Sequence, residues 1–323
     1  YGEDFLGPKR INRASDLIIS LQDTLQSMGK FMMVCLATGK GTYYPEYLPY
    51  KKEIGPTNHE YFVKAFDQRG INYFNTLPWF LEMKDTLGHL LFPQYGIHWS
   101  HYSTVLVTDS LVKYIEANTG WDLPNLKINK RNYSNTTKYF DNDIAYSMNL
   151  FGKLEPDEPM IYPDFEWTSP EKKKKKLLVI GDSFFWDIFE NVRIQECFEE
   201  VQFWYYSQIV VKETEAQGRD DTRLAYLSRH LNMYEILKEY DAFLILTNEP
   251  NAVFRGWGFP KDGLYTLRDS NYVREERSNA FLRDEFLRKK GWRDDLAEQA
   301  KKRKISTDSM LSIYLHDPNF KFQ

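Results

Sequence analysis

Two residues far apart in the sequence, His98 and Ser183, are of the types that together perform acyl transfer. Ser183 follows Leu177-Leu178-Val179-Ile180-Gly181-Asp182, four apolar residues of strand type running into a Gly-Asp-Ser turn. An unbroken apolar run after polar sequence predicts a strand covered on both faces, as in the middle of a parallel sheet. Gly181 allows a sharp turn, and a helix from Phe184 to Val192 would begin beside the Ser183 hydroxyl, at the carboxyl edge of the sheet. Helix-start N–H groups favour negative charge, which suits a serine that becomes an oxyanion-forming nucleophile. The plainer use of Asp182 or Ser183 is to cap that helix. His98 lies in Gly96-Ile97-His98-Trp99-Ser100, just ahead of an apolar run from Val105 to Ile115 at helical spacing. A loop histidine in that position can take the proton of a serine at a neighbouring strand end.

These two segments, in this order, resemble the branch of the SGNH hydrolase superfamily that contains the alginate O-acetyltransferases and related cell-surface polysaccharide acetylation proteins. That branch has a histidine motif of the form Asp-x-His-Trp-Ser/Thr upstream of its Gly-Asp-Ser block. A third match is Lys40-Gly41-Thr42-Tyr43-Tyr44-Pro45-Glu46-Tyr47-Leu48-Pro49, similar to the family's lysine followed by Tyr-Pro-Glu-x-Leu-Pro. The resemblance runs from roughly residue 15 to residue 255. It implies Ser183 as nucleophile and His98 as base, and an oxyanion held by the Ser183 N–H with Gly181 or with Asn248, with Asn251 behind it. Lys40 and Trp99 become candidates for contact with substrate. It also implies a polysaccharide or oligosaccharide substrate, a membrane acetyl-donor protein as partner, no cofactor, and a location outside the cytoplasm.

The sequence departs from the family pattern where the aspartate should stand, two residues before the histidine: Gly96 is there. That aspartate holds the imidazole in its useful tautomer. A main-chain carbonyl near Gly96, or a carboxylate such as Asp85 or Asp182, could orient His98 instead, and spacing does not choose among them.

The elements that must position these residues read as alternating α and β. Leu17, Leu21, Leu25 and Met28 mark a helix that Gly29 ends; Phe31–Ala37 is a strand delivering Lys40. Asn58–Arg69 is amphipathic and stops at Gly70, followed by a short strand Ile71–Phe74. Helices are expected over Trp79–Leu91 and Ser103–Ala117, strand over Phe198–Val211, and helix over Arg223–Tyr240. A buried strand then starts at Asp241 and ends in the polar residues Asn248 to Asn251. Residues 118–170, rich in Asn, Asp, Thr, Pro and Tyr, read as an insertion of short strands and loops, Lys138–Met148 among them, that covers the mouth of the site. The expected fold is one α/β domain over 1–323: a three-layer sandwich with a mainly parallel central sheet, an insertion at about 118–170 and a helical tail at about 271–323.

Composition sets outer bounds. The chain has 323 residues with 42% hydrophobic content, enough for a sizeable core. A net charge of -4 gives no nucleic-acid footprint. Aromatic residues reach 16%, a share that suits stacking on sugar C–H faces as well as the core. Cys35 and Cys197 sit in apolar surroundings and read as buried small hydrophobes, not as a disulfide framework. His98 and His101 lack a third ligand at metal spacing, so no metal site is expected. The lysines from Lys172 to Lys176 are expected to form a solvated approach to the strand. No run is apolar enough to span a membrane, and a first residue Tyr1 suggests a signal or anchor removed upstream. The functional expectation is an O-acetyltransferase or esterase acting on a polysaccharide through Ser183. The alternative is a carbohydrate-binding protein of this fold that has lost the chemistry, favoured by the missing aspartate and by the aromatic content.

Overall fold

Strands buried on both sides alternate their side chains between two packed faces, so the hydrophobic runs above translate directly into a central sheet. The computed structural model of the chain describes residues 2–49, 53, 55–148, 154–168, 175–212, 224–272 and 290–316. The first part of the chain forms α1 (Pro8–Ser27), β1 (Phe31–Ala37), the single turn α2 (Lys40–Tyr43), α3 (Asn58–Arg69), β2 (Tyr73–Asn75), α4 (Thr76–Leu87) and α5 (His101–Thr119). Next come β3 (Leu126–Ser134), α6 (Asp143–Ser147), β4 (Met160–Trp167), β5 (Lys176–Gly181) and the short α7 (Phe185–Asp187), which runs into a π-turn over Ile188–Val192. The rest is β6 (Glu200–Tyr205), β7 (Ile209–Lys212), β8 (Leu224–Leu227), α8 (Met233–Glu239), β9 (Ala242–Asn248), α9 (Phe259–Arg268), α10 (Lys290–Arg303) and α11 (Thr307–His316).

The main sheet has the order β2-β1-β9-β5-β6-β7-β8. Its first five strands run parallel, and β7 and β8 turn antiparallel at one edge. Leu177 and Val179 face one side, with Met33, Cys35 and Leu244, against Val107, Leu111 and Ile115 of α5 and Leu296 of α10. Leu178 and Ile180 face the other, with Met32, Val34 and Phe243, against Leu21 and Leu25 of α1, Phe62 of α3 and Leu264 of α9. Helices therefore cover both faces, and the expected three-layer α/β sandwich is the observed one. Each such aliphatic side chain fully withdrawn from water contributes about 1.5–3 kcal/mol before conformational entropy is charged.

Local chemistry fixes the helix ends. Thr57 and Glu60 form a reciprocal capping box on α3, and Gly70 closes it in the left-handed conformation. Ser100 caps α5 by accepting from the Ser103 N–H at 3.2 Å, which starts that helix at His101, two residues before the sequence suggests.

Several expected boundaries shift for identifiable reasons. The run Phe198–Val211 is not one strand but the hairpin β6–β7, because Tyr206 and Ser207 adopt φ of 50° and 55°. A Tyr-Ser pair carries no turn signature of the Gly or Asn type, so the sequence does not announce it. The segment read as a helix from Arg223 to Tyr240 holds β8 and then α8, with Asn232 accepting from the Tyr234 N–H at 3.1 Å to cap the helix. Within 118–170, β3 and β4 pair as a separate two-stranded antiparallel sheet, and α6 lies between them in sequence. Cys35 and Cys197 are both buried and form no disulfide. Lys172 to Lys174 lie outside the described residues, whereas Lys176 pairs with Glu239 at 2.6 Å. Of the charged stretch 271–303, the helical part that is described is α10. No helix among the described residues is long and apolar enough to cross a membrane.

Candidate active site

In open parallel sheets, sites form outside the carboxyl ends of the strands, where the chain order reverses direction. Here β5 continues toward β6 on one side, and β9 lies between it and β1 on the other. Gly181 at the end of β5 pairs with Leu246 of β9 and Tyr205 of β6, so the residues following all three strands meet at one rim. Gly181 does not use a glycine-only backbone angle. A Cβ there would lie 3.3 Å from the Phe203 ring and 3.4 Å from the Phe185 Cβ, so it is close packing that favours the glycine.

Ser183 and His98 meet at this rim. The His98 Nε2 is 2.8 Å from the Ser183 Oγ, across 85 positions of sequence. On its other side the His98 Nδ1 is 2.5 Å from an oxygen of Asp143. The second oxygen of that carboxylate accepts from the Ile97 N–H at 2.9 Å. Phe184 lies edge-on to the His98 ring at 4.9 Å between centroids and confines it further.

The orienting carboxylate is therefore Asp143, a residue the sequence reading did not single out. Asp85 lines a neighbouring cleft. Asp182 is fully buried and accepts from the Asn248 N–H at 2.7 Å, the Phe184 N–H at 3.0 Å and the Asn251 side chain at 3.0 Å. It thereby ties the serine turn to the end of β9. Burial raises its pKa while those donors oppose the rise.

Gly96 explains why the acid comes from elsewhere. A Cβ at Gly96 would stand 2.9 Å from the Phe140 carbonyl and 3.1 Å from that of Asp141. The inserted segment occupies the space an aspartate side chain would need. It docks through the N–H groups of Ile144 and Ala145, which both donate to the Tyr95 carbonyl, at 3.1 and 3.2 Å. Deeper down, Asp141 accepts from the His101 N–H at 2.9 Å, and the His101 ring bonds Asp187 at 3.0 Å. Burial pushes the Asp141 carboxyl up to about 7. His101 is thus committed to a buried acid, and among the described residues no group of side chains could hold a metal.

Lys40 donates to the carbonyls of Pro93 at 2.6 Å, Gly96 at 2.8 Å and Gln94 at 3.0 Å. Three carbonyls match the three donors of an ammonium, so Lys40 holds the loop that presents His98. Burial lowers its pKa. Trp99 is 1% exposed and packs against Phe184 and Phe80, which places it in the core beneath the site. Asn248 stands at the carboxyl end of β9, with its side-chain oxygen accepting from the Asn251 N–H at 3.1 Å. Beside the His98 loop opens a cleft of about 820 Å3, bordered by Lys40, Tyr44, Tyr47, Phe92, Gln94 and Met160.

No family model matches the sequence, and no curated protein does. Among solved structures, the O-acetyltransferase domain of Pseudomonas putida AlgJ is similar over 84% of this chain and 95% of its own, with a TM-score of 0.50 and 14% identity. Pseudomonas aeruginosa AlgX is similar over 79% of this chain and 61% of its own, with a TM-score of 0.50 and 12% identity. At such identities the likeness is one of architecture. The likeness extends over most of the chain: this protein has the α/β fold found in the AlgJ O-acetyltransferase domain.

Proposed function

We propose that the protein is an acyl-ester enzyme that transfers acetyl groups to the hydroxyls of a polysaccharide through Ser183. The observation that carries this reading is the continuous Asp143–His98–Ser183 hydrogen-bonded chain at the sheet rim. His98 takes the Ser183 proton on Nε2 as the Oγ attacks the acetyl carbonyl, and Asp143 stabilises the imidazolium that results. The tetrahedral oxyanion is received by the Ser183 N–H and the Asn248 side-chain amide. Collapse expels the donor's leaving group, which carries off the proton from His98 and leaves acetyl-Ser183. A sugar hydroxyl then gives its proton to His98 and attacks the acetyl carbon, regenerating the serine.

The exposed ring of Tyr47 and its neighbour Tyr44, in edge contact at 5.4 Å, give the cleft a wall suited to sugar C–H faces. The similarity to a domain named as an O-acetyltransferase supports acetyl transfer, and the motif resemblance implies a polysaccharide as acceptor. With it come a location outside the cytoplasm and a membrane protein as acetyl donor. The binding-protein alternative rested on the absent aspartate before His98 and on the aromatic content; Asp143 answers the first ground, and the second suits either reading.

Incubation with p-nitrophenyl acetate followed by mass spectrometry of the intact chain tests the reading. An acetyl adduct on Ser183, lost in Ser183→Ala and His98→Ala, is expected. Its absence from the unaltered protein would sink the proposal. An added oligosaccharide that becomes acetylated identifies a transferase, whereas release of acetate alone identifies an esterase.

A further inference from the structure

The turn after β6 carries two consecutive non-glycine residues in the left-handed region, Tyr206 at φ 50° and Ser207 at φ 55°. Such backbone is disfavoured for residues with a Cβ and persists only where its surroundings enforce it. Here the Tyr206 N–H donates to the Gly181 carbonyl at 2.8 Å, which fastens the turn to the strand that delivers Ser183. Its ring is held between Tyr205, at 4.4 Å between centroids, and Trp257, at 5.4 Å. Its phenol meets the side chains of Tyr205, Asn251 and Ser183 and lies in the field of the buried Asp182 carboxyl.

The backbone donors around the serine are largely committed elsewhere. At the end of β6 the Tyr206 N–H serves Gly181, the Ser207 N–H serves Trp204 at 3.0 Å, and the Gln208 N–H serves Tyr205 at 3.0 Å. On the opposite flank the Asn248 and Phe184 N–H groups serve the buried Asp182 at 2.7 and 3.0 Å. Beyond the Ser183 N–H, an oxyanion there therefore finds few backbone N–H groups and draws on side chains.

Resting on the acyl-transfer reading above, we propose that Tyr206 is a further catalytic residue, whose phenol O–H donates to the oxyanion that forms on the Ser183-bound acyl group. The strained turn exists to aim that hydroxyl at the serine in place of the backbone donors that β6 has spent. Asn251, bonded to Asp182 at 3.0 Å, keeps the phenol in register with the serine turn. Burial raises the Tyr206 pKa, so the group remains a protonated donor through the neutral range. A donor in this position is worth on the order of 10²–10³ in rate.

The test measures the rate at which an alkyl fluorophosphonate labels Ser183, because phosphonylation develops the same negative oxygen without requiring the natural donor. Tyr206→Phe keeps both ring contacts and removes only the hydroxyl. Labelling slower by on the order of 10²-fold, with an unchanged melting temperature, is expected; a rate equal to that of the unaltered protein overturns the proposal. Replacing Tyr206 with a trifluorotyrosine lowers the phenol pKa and should introduce an alkaline loss of labelling that the unaltered protein lacks, which a purely packing role would not produce. Failure of that limb to appear also overturns it. A protein that takes the phosphonate but not the acetyl ester refutes acetyl transfer while the Tyr206→Phe comparison still decides this proposal; one inert to both refutes the two together.

Discussion

Asp143 holds the His98 imidazole by a 2.5 Å hydrogen bond from a segment 45 residues further along the chain. The carboxylate that the histidine motif lacks is thus supplied by the short helix between β3 and β4, at the position Gly96 leaves clear. Replacing it with asparagine should preserve the contact with the Ile97 N–H and present the wrong hydrogen to His98. We expect Asp143→Asn to lower acyl-enzyme formation by about 10³–10⁴-fold with little change in melting temperature. Equal rates for variant and parent would show that the imidazole needs no carboxylate here.

Lys40 acts on the same imidazole from the other side of the loop, through three carbonyls between Pro93 and Gly96. Lys40→Met keeps the stem and removes every donor, leaving part-buried carbonyls unsatisfied at a cost of about 1–3 kcal/mol. Slower labelling of Ser183 together with a lower melting temperature is the expected pair of results. If glycan affinity falls while the labelling rate holds, Lys40 serves substrate and not the loop.

Asp141 gives the fold a pH dependence of defined sign. Burial raises its pKa from 3.8 to about 7. Between those values the folded chain keeps a proton that the unfolded chain has lost, so this group's contribution to stability falls as pH climbs from about 4 to about 7 and is level above. Asp141→Asn still accepts from the His101 N–H and cannot ionise, so its stability should fall less over that window, by a few kcal/mol at most. Asp182 and Glu249, also raised by burial, leave a residual slope of the same sign. Urea unfolding at both ends of the window decides the matter, and parallel profiles for the two proteins would refute it.

Gly181→Ala brings a methyl group to 3.3 Å from the Phe203 ring, which must give way by a few tenths of an ångström, and into contact with Phe185 and the Leu246 carbonyl at 3.4 and 3.5 Å. Overpacking of this kind costs about 1–3 kcal/mol. Because the crowded residue precedes the serine turn, a displaced Ser183 and slower labelling should accompany the lower stability seen in thermal melts. An alanine variant as stable as its parent would mean that the rings on either side yield freely.

The sheet was legible in the sequence because its central strands have no solvent-facing side. Leu177 to Ile180 and Phe243 to Leu246 are apolar at every position, and the structure buries them all. His98 and Ser183 were legible because a strand end and a helix start each constrain where one residue can point. Asp143 was not, since its role depends on how a hairpin outside the sheet docks against Tyr95, and an aspartate among Asn, Asp and Tyr residues has no local signature. Tyr206 escaped for a related reason: its backbone angle comes from tertiary contacts that override what Tyr and Ser prefer. Trp99 was misleading in the opposite sense. Its place in a chemical motif suggested substrate, whereas its indole fills the space beneath Phe184.

Because the acid arrives on the β3–β4 hairpin, a molecule can complete its main sheet and still lack the proposed acyl transfer. Catalytic competence becomes a report on whether the accessory hairpin has seated. Damage confined to the hairpin should therefore silence the proposed acyl transfer without unravelling the scaffold.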